Sequence, residues 1–255
     1  MEYNFHTHTS RCGHAYGTMR EYIEAAIKGG VKRMGFSDHA PMPSMPETSW
    51  RVSPSEAEGY VAEARALREE FKECITLYVG FEMEYYPAHF AEMRDFAIAK
   101  GAEYLILGQH FTFNEDARAV HSYRGSEEYE QLRSYSDALV AGMESGVFTY
   151  VAHPDVFHFR GDAALYQKEM ERVCITSKQT GIPLEINLLG IRDGRHYPMD
   201  SFWQIAGRVG SPVCFGFDAH DPAAAADLAS IPVAEALVNR YGLRYIEPSL
   251  RLLQK

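Results

Sequence analysis

ITLYVGFEMEYYPAHFAEMRDFAIAKGAEYLILGQH, residues 75–110, is the stretch that indicates the fold most directly. An apolar, β-rich run at 75–81 is followed by helical periodicity over 87–100, and a second apolar run follows at 104–107. A strand, a helix and a further strand in this order form the repeating unit of a parallel α/β sheet. The stretch therefore predicts one β–α–β unit whose helix stops near Gly101.

The same alternation continues on both sides of this unit. Strands are predicted at residues 2–5, 33–37, 75–81, 104–107, 149–152, 183–186 and 213–217, with an eighth near Tyr245 as a further candidate. Helices are predicted at 18–28, 54–72, 87–100, 126–144, 165–180, 200–208 and 222–241. No second periodic pattern or linker indicates a domain boundary, so we expect one domain over residues 1–255. The predicted fold class is α/β, a distorted (β/α)7 TIM-like barrel, with a doubly wound open sheet as the main alternative.

Composition narrows the function classes. With 255 residues, 46% of them hydrophobic and 24% charged, the chain resembles an ordinary folded protein. A net charge of −10 argues against sequence-independent nucleic-acid binding, which depends on lysine and arginine. No apolar run approaches the roughly 18 residues of a membrane span and no leader is recognisable, so we expect a cytoplasmic protein without membrane contacts. The four scattered cysteines predict neither a disulfide framework nor a thiolate zinc site.

Histidines and carboxylates cluster where the predicted strands end. They are His6, His8, Asp38, His39, Glu82, Glu84, His110, His153, Glu185, Asn187, Asp218 and His220. In a parallel barrel all carboxyl ends of the strands point to one face, so we expect these side chains to surround a single pocket.

Two pairs and one carboxylate make a metal site the favoured interpretation. His6 and His8 lie on the same side of an extended chain and can share a cation, and Asp218 and His220 repeat that spacing. Each pair alone also fits a polar strand end that hydrogen-bonds to a loop. Glu82 follows an apolar run, where an isolated charge is costly to bury, so a cation is expected beside it. Its two oxygens could bridge two metals.

Other candidates stay open at this stage. Glu84 is an alternative ligand to Glu82. His14 lies on the loop after the first strand and either folds over the pocket or stays at the surface, and Cys12 is a less favoured thiolate ligand. The remaining histidines are interpreted as packing or surface residues; they are His89, His121, His158 and His196.

Taken together, the motifs resemble those of the polymerase-and-histidinol-phosphatase (PHP) family, and within it the stand-alone histidinol-phosphate phosphatases. In chain order they are HTHTS at 6–10, CGHA at 12–15, SDH at 37–39, GFE at 80–82, GQH at 108–110, AHPD at 152–155, EIN at 185–187 and FDAH at 217–220. The resemblance spans nearly the whole chain. It implies a distorted seven-unit β/α barrel that binds two or three divalent metals.

The resemblance also implies a set of ligands for each metal. The first metal is assigned His6, His8, Glu82 and Asp218, the second His110 and His153 with bridging Glu82, and the third His14, His39 and His220. Imidazole and carboxylate suit zinc, manganese and iron alike, so any of these is expected. Glu82 and Asp218 are accordingly predicted to be catalytic as well as metal-ligating.

The activity that the resemblance implies is hydrolysis of L-histidinol phosphate to L-histidinol and phosphate in histidine biosynthesis. Bound metals would activate water and attract a small phosphorylated substrate despite the acidic exterior. Arg160 and Arg192, on loops at the same face, are predicted to bind the phosphate, with Arg195 as a rival to Arg192. Asp38 or a metal-bound water is predicted to protonate the leaving alkoxide.

Alternative functions remain on the same scaffold. The substrate could be another phosphomonoester, a nucleotide or a phosphodiester. Metal-assisted amide hydrolysis is a second class, but no lysine lies at a predicted strand end to form a carboxylated bridge. Metal storage is a third, disfavoured because a closed site needs only four ligands per metal. Glu115 and Asp116 are candidate acceptors for the amino and imidazole groups of histidinol, and the oligomeric state is left open.

Overall fold

The computed structural model describes residues 1–254, and its strands and helices alternate along the chain. The strands are β1 (Tyr3–Asn4), β2 (Arg33–His39), β3 (Thr76–Met83), β4 (Tyr104–Leu107), β5 (Leu184–Asn187), β6 (Pro212–Gly216) and β7 (Arg244–Tyr245). The helices are α1 (Met19–Lys28), α2 (Ala57–Phe71), α3 (Phe90–Lys100), α4 (Tyr129–Glu144), α5 (Ala163–Thr180), α6 (Leu188–Arg192), α7 (Asp200–Val209) and α8 (Ile231–Tyr241). Short 3-10 turns lie at Ser10–Cys12, Phe113–Glu115 and Ala223–Ala226.

All paired strands are parallel, and they follow one another in chain order, β1-β2-β3-β4 in one sheet and β5-β6-β7 in the other. Single bridges join the two sheets, because Val151 pairs with both Leu107 and Leu184. Thr7, which follows β1, pairs with Ala219, which follows β6, and so joins the two sheets on the other side. The fold class is therefore confirmed as mixed α/β with a curled parallel sheet. The doubly wound alternative does not fit, since its strand order reverses at a switch point.

Several elements differ from the predicted ones. Within the predicted strand 149–152 only Val151 pairs, as a bridge to both Leu107 and Leu184. The extended run ends at His153, which takes a left-handed φ of 30° and precedes Pro154. The predicted helix 222–241 is interrupted, and only its second part forms α8. The five-residue α6 was not predicted; the side chain of Asn187 caps it by accepting a hydrogen bond from Gly190 N–H at 3.0 Å.

A small apolar cluster fills the inside of the curl below the strand ends. It contains Tyr3, Phe5, Tyr104, Ile106, Tyr150, Ala152 and Cys214. Tyr104 anchors it by donating hydrogen bonds to the carbonyls of Phe5 at 3.0 Å and Phe36 at 3.2 Å. This inner cluster forms a closed floor under the polar side chains at the mouth of the sheet. None of the helices among residues 1–254 is long and apolar enough to cross a membrane.

Candidate metal centre

The structure brings all nine predicted ligands to the carboxyl ends of the strands. His39 and Glu82 lie in β2 and β3, paired in register, and the others follow a strand end or the bridge at Val151. Most are buried: His6, His8, His39, Glu82, His153 and Asp218. His110 and His220 are partly exposed and His14 is exposed, so the site opens to solvent on that side.

Glu82 is at the centre of the histidines, and its two oxygens face different sets. Oε2 lies 3.4 Å from His6 Nε2, 3.4 Å from His8 Nε2 and 3.2 Å from His39 Nδ1. Oε1 lies 3.4 Å from His110 Nε2 and 2.8 Å from His153 Nε2. This division is what a carboxylate needs in order to bridge two cations.

Asp218 closes the other side of the cluster. Its Oδ1 lies 3.2 Å from His8 Nε2, 3.5 Å from His6 Nε2 and 3.3 Å from His220 Nδ1. Its φ is +47°, in the left-handed region that side chains other than glycine seldom adopt, and such a conformation costs about 1–3 kcal/mol. The surrounding contacts therefore hold Asp218 in place against its own backbone preference.

Carboxylates behind the histidines fix which ring nitrogen faces the centre. Glu185 accepts a hydrogen bond from His6 Nδ1 at 2.8 Å, and Glu84 accepts one from His110 Nδ1 at 3.0 Å. Each leaves Nε2 directed at Glu82 with its lone pair free, the arrangement common behind metal-bound histidines. Glu84, an alternative ligand in the sequence, thus lies one step behind the cluster.

Asp38, the predicted proton donor, is held by Thr9. It is fully buried and accepts hydrogen bonds from the main-chain N–H of Thr9 at 3.1 Å and from the Thr9 hydroxyl. Its Oδ1 lies 3.5 Å from His8 Nδ1. A proton donor to the leaving alkoxide must come within hydrogen-bond reach of the substrate. In this structure Asp38 lies behind His8, so its role as that donor stays a prediction.

The atoms of the cluster fit divalent cations. Among the described residues, several fully buried atoms have no hydrogen-bond partner of normal distance and angle: His6 Nε2, both ring nitrogens of His8, His39 Nδ1, both oxygens of Glu82 and His153 Nδ1. Each such atom costs about 1–3 kcal/mol unless a partner compensates it. Nitrogen and oxygen donors in this number and proximity match zinc, manganese or iron.

Positive charge at the histidine positions favours the ionised form of the two cluster carboxylates. Burial alone would raise the pKa of Glu82, but His110, His6 and His153 outweigh it and hold the pKa well below its ordinary value. Burial likewise opposes ionisation of Asp218, yet His6 and His220 keep its pKa well below the usual range. The two carboxylates are therefore available as anionic donors at neutral pH.

A cavity of about 570 Å³ opens above Glu82. Of the two predicted phosphate-binding residues, Arg192 lines it and Arg160 does not, while the rival Arg195 does. The Arg160 guanidinium instead donates to the carbonyls of Arg124 at 2.7 Å and His158 at 3.4 Å. Arg192 and Arg195 are therefore the guanidinium groups that can meet a ligand in the cavity.

The candidate acceptors for the amino and imidazole groups are already paired. Glu115 accepts a hydrogen bond from Arg51 at 2.6 Å, and Asp116 accepts one from Arg118 at 2.7 Å. Neither carboxylate is among the described residues that line the cavity. Both are thus occupied within the protein.

Aromatic residues that the sequence interpretation left out also line the cavity. They are Tyr16, Trp50, Tyr123 and Tyr197, together with His121, which was interpreted as background. Trp50 follows β2 on a loop that leads to α2, on the same face as the ligands. The sequence signal for Trp50 was its position after a strand end. Tryptophan does not bind metals, so an interpretation based on metal ligands left it out.

Comparison with known proteins agrees with this geometry. The PHP domain matches residues 4–188, more than half of the chain. The probable histidinol-phosphatase of Deinococcus radiodurans is 28% identical over 229 residues, covering 85% of each protein. The histidinol-phosphatase of Bacillus subtilis is 27% identical over 249 residues, covering 84% of this chain and 92% of the relative.

Solved structures share the fold. The histidinol phosphate phosphatase of Lactococcus lactis, crystallised with zinc, L-histidinol and phosphate, superposes with a TM-score of 0.74 at 18% identity over 99% of both chains. A putative histidinol phosphatase of Listeria monocytogenes gives 0.73 at 17% identity over 90% of this chain and 99% of the other. With its strand-end histidines and carboxylates and its curled parallel sheet, and with the match over residues 4–188, the chain belongs to the PHP domain family.

Proposed function

We propose that this protein is a metal-dependent histidinol-phosphatase that hydrolyses L-histidinol phosphate to L-histidinol and phosphate. One observation carries the proposal: unpartnered buried atoms of Glu82 and its histidines lie beneath a cavity that two arginines also line. Two relatives are named histidinol-phosphatases, and the Lactococcus structure holds zinc, L-histidinol and phosphate.

The proposed centre takes two or three divalent ions of zinc, manganese or iron. The ligands are His6, His8, His14, His39, Glu82, His110, His153, Asp218 and His220, with Glu82 as the bridging group. When bound, the metals lower the pKa of a water molecule and neutralise charge on the phosphoryl oxygens. Glu185 and Glu84 keep His6 and His110 in the tautomer that directs Nε2 to the centre.

Arg192 and Arg195 are proposed to bind the phosphate. Arg192 is oriented by Asp227, whose Oδ2 accepts from its Nη1 at 3.1 Å. Arg195 donates to the Tyr197 hydroxyl at 3.1 Å and pairs with Asp193 at 3.0 Å. A planar guanidinium held in this way meets phosphate oxygens with two donors at little entropic cost.

The finer architecture and setting are part of the proposal. Residues 1–255 would form one PHP-type phosphoesterase domain. Strands β1 to β6 together with the segment around Val151 would form the seven units of a distorted barrel, with β7 as an additional strand. The enzyme would act on a small phosphorylated substrate in the cytoplasm, without nucleic acid.

Phosphate release tests the proposal. The purified, metal-supplemented protein is assayed with L-histidinol phosphate, an aryl phosphate, a nucleoside monophosphate and a phosphodiester. We expect L-histidinol phosphate to be preferred by several orders of magnitude in kcat/KM, and Glu82→Gln to abolish both metal binding and turnover. Equal rates on all four substrates would reject the substrate assignment, and an active, metal-loaded Glu82→Gln variant would reject the bridging role.

A further inference from the structure

We propose that Trp50 is a specificity-determining residue, whose indole packs against a flat ring on the alcohol part of a phosphomonoester substrate. The inference rests on the proposed function and deepens it, because it assigns the part of the cavity that recognises the leaving group rather than the phosphate.

Trp50 lies next to the metal cluster and away from the arginines. Its ring centroid is 5.4 Å from that of His39 and 5.9 Å from that of His110. Trp50 follows β2, whereas Arg192 follows β5. Through the bridge of Thr7 to Ala219, β1 and β6 separate these two strands on one side of the curled sheet. Trp50 and the guanidinium groups of Arg192 and Arg195 therefore approach the cavity from different sides.

Arg51 fixes the orientation of the Trp50 indole. The guanidinium carbon of Arg51 lies 3.6 Å from the centroid of the Trp50 ring. Arg51 is itself buried and pairs with Glu84 at 3.1 Å and with Glu115 at 2.6 Å. Moving this arginine would leave the buried carboxylate of Glu84 and the partly buried carboxylate of Glu115 without their cation, which is unfavourable. A side chain fixed in advance loses little entropy when a ligand packs against it.

A flat ring is the ligand group that suits such a wall. Aromatic rings gain about 0.5–1.5 kcal/mol from offset or edge contacts beyond the area they bury. Tyr123 also lines the cavity, but its side chain is 42% exposed and its described ring contacts are His196 and Tyr197 rather than a ligand of the cluster. Of these two side chains, only Trp50 contacts predicted metal ligands. A ring that packs against Trp50 therefore stays close to the reacting phosphate.

Fluorescence gives a test that does not depend on turnover. The chain has two tryptophans, and Trp203 is fully buried with its indole N–H donating to Asp155 at 2.9 Å. The metal-loaded protein is titrated with L-histidinol and with alaninol, which lacks the ring. We expect L-histidinol, but not alaninol, to change the emission, and Trp50→Phe to remove the change. An emission change that persists in Trp50→Phe would overturn the inference.

Kinetics test the same contact through a ratio. We compare kcat/KM for L-histidinol phosphate with that for alaninol phosphate, and measure metal content in each variant. Trp50→Leu should lower this ratio about tenfold, the size expected for one lost apolar contact, while Trp50→Phe retains most of it. Tyr123→Leu is the matched comparison and should leave the ratio near that of the wild type. An unchanged ratio in Trp50→Leu, or the loss appearing in Tyr123→Leu instead, would overturn the inference.

The two proposals fail in different ways. If the wild-type protein prefers L-histidinol phosphate and Trp50→Leu keeps that preference, the inference fails while the function stands. If the wild type does not favour L-histidinol phosphate, the proposed function fails. The ring contact is then tested with phenyl phosphate, which has a ring, and ethyl phosphate, which has none. A ratio for that pair which is the same in wild type and Trp50→Leu then rejects the ring contact as well.

Discussion

Two glycines provide the space that two buried carboxylates occupy. A Cβ at Gly108 would lie 2.0 Å from Glu82 Oε1, and one at Gly216 would lie 1.6 Å from Glu185 Oε1. Neither glycine has a positive φ, so the requirement is for space rather than for backbone freedom. Metal binding at this mouth thus depends on residues that carry no functional group.

Gly108→Ala should therefore displace Glu82 and lower kcat by about 100-fold, since a shift of about 1 Å in a positioned group has that effect. Metal content and phosphate release measure the loss. Gly59→Ala is the control, because a Cβ at Gly59 in α2 meets no described atom within 4 Å. It should keep full activity and gain about 0.5–1 kcal/mol in the free energy of unfolding. Equal activity in the two variants would contradict the prediction.

Glu185 connects two strand ends. Its carboxylate accepts from His6 Nδ1 at 2.8 Å, from the main-chain N–H of His153 at 2.9 Å and from Asn187 Nδ2 at 2.9 Å. Glu185→Gln keeps the shape but replaces one acceptor oxygen with a donor. We expect metal affinity to fall about 10- to 100-fold, as for other residues that orient metal-bound histidines. Titration of the metal-free protein with zinc measures it, and an unchanged Kd would refute this role.

At the scale of single residues, the sequence indicated which end of the sheet carries the site. It did not indicate whether each side chain points into the cavity or lies behind it. Asp38 and His39 both end a strand, yet alternate residues of a strand point to opposite faces. In register, Asp38 pairs with Phe81 and His39 with Glu82, so only His39 shares the face of Glu82. Arg160 follows a strand-end motif, as the sequence indicated. The direction of its side chain, however, depends on hydrogen bonds to carbonyls such as that of Arg124, and the spacing of residues in the sequence does not reveal these bonds.

At the scale of elements, Glu169 joins α5 to α4. Its buried carboxylate accepts hydrogen bonds from the hydroxyls of Tyr129 at 2.6 Å and Ser136 at 2.8 Å, both on α4, and pairs with Arg172 at 2.5 Å. Burial alone would raise the pKa of Glu169, but these hydroxyls and the guanidinium outweigh it and lower the pKa. The ionised form is therefore the one that stabilises the helix pair.

Because the folded-state pKa is depressed, this stabilisation is complete above the unfolded pKa of about 4.3 and is lost as pH falls through the lower folded value. Glu169→Gln should lower the free energy of unfolding by about 1–3 kcal/mol at pH 7. The difference from wild type should shrink below about pH 4, where both side chains are neutral. Urea denaturation at several pH values measures it. Glu171→Gln is the control, because the Glu171 carboxylate on α5 is 41% exposed and pairs with Arg208 at 3.4 Å, a surface contact worth at most about 1 kcal/mol. A difference that is independent of pH would exclude the carboxylate as its source.

Element boundaries were predictable where periodicity is long and failed where it is short. The helix expected at 87–100 ends at Lys100 with left-handed Gly101 after it, as the glycine indicated. The five residues of α6 are too few for a period to show, and their start depends on the cap provided by Asn187. Residues 149–152 have the composition of a strand, but only Val151 pairs with its neighbours, and the extended run ends at left-handed His153.

At the scale of the whole molecule, alternation of strands and helices predicted parallel pairing, and parallel pairing predicted that the motifs would meet. The joining of the two sheets could not be predicted in the same way, because it depends on single bridges at Val151 and Thr7 rather than on a strand pattern. The net charge of −10 is likewise a property of the exterior, whereas the cavity exposes Arg192 and Arg195 beside the cluster. Surface charge and site charge have to be considered separately.

Removing the metals should destabilise the entire fold, because the unpartnered atoms come from strand ends all around the sheet. A ligand that binds only the folded state contributes about 2.7 kcal/mol when present at 100 times its Kd. For a chain of this size each kcal/mol moves the Tm by about 2–4 °C, so chelation should lower the Tm by at least 5 °C or so, reversibly. Glu82→Gln should unfold at nearly the same temperature with and without zinc, since it removes the anion that faces five histidines. If chelation left the Tm of the wild type unchanged, the buried nitrogens and oxygens would have to be hydrogen-bonded to water alone. That result would contradict the assignment of the cluster as a metal centre.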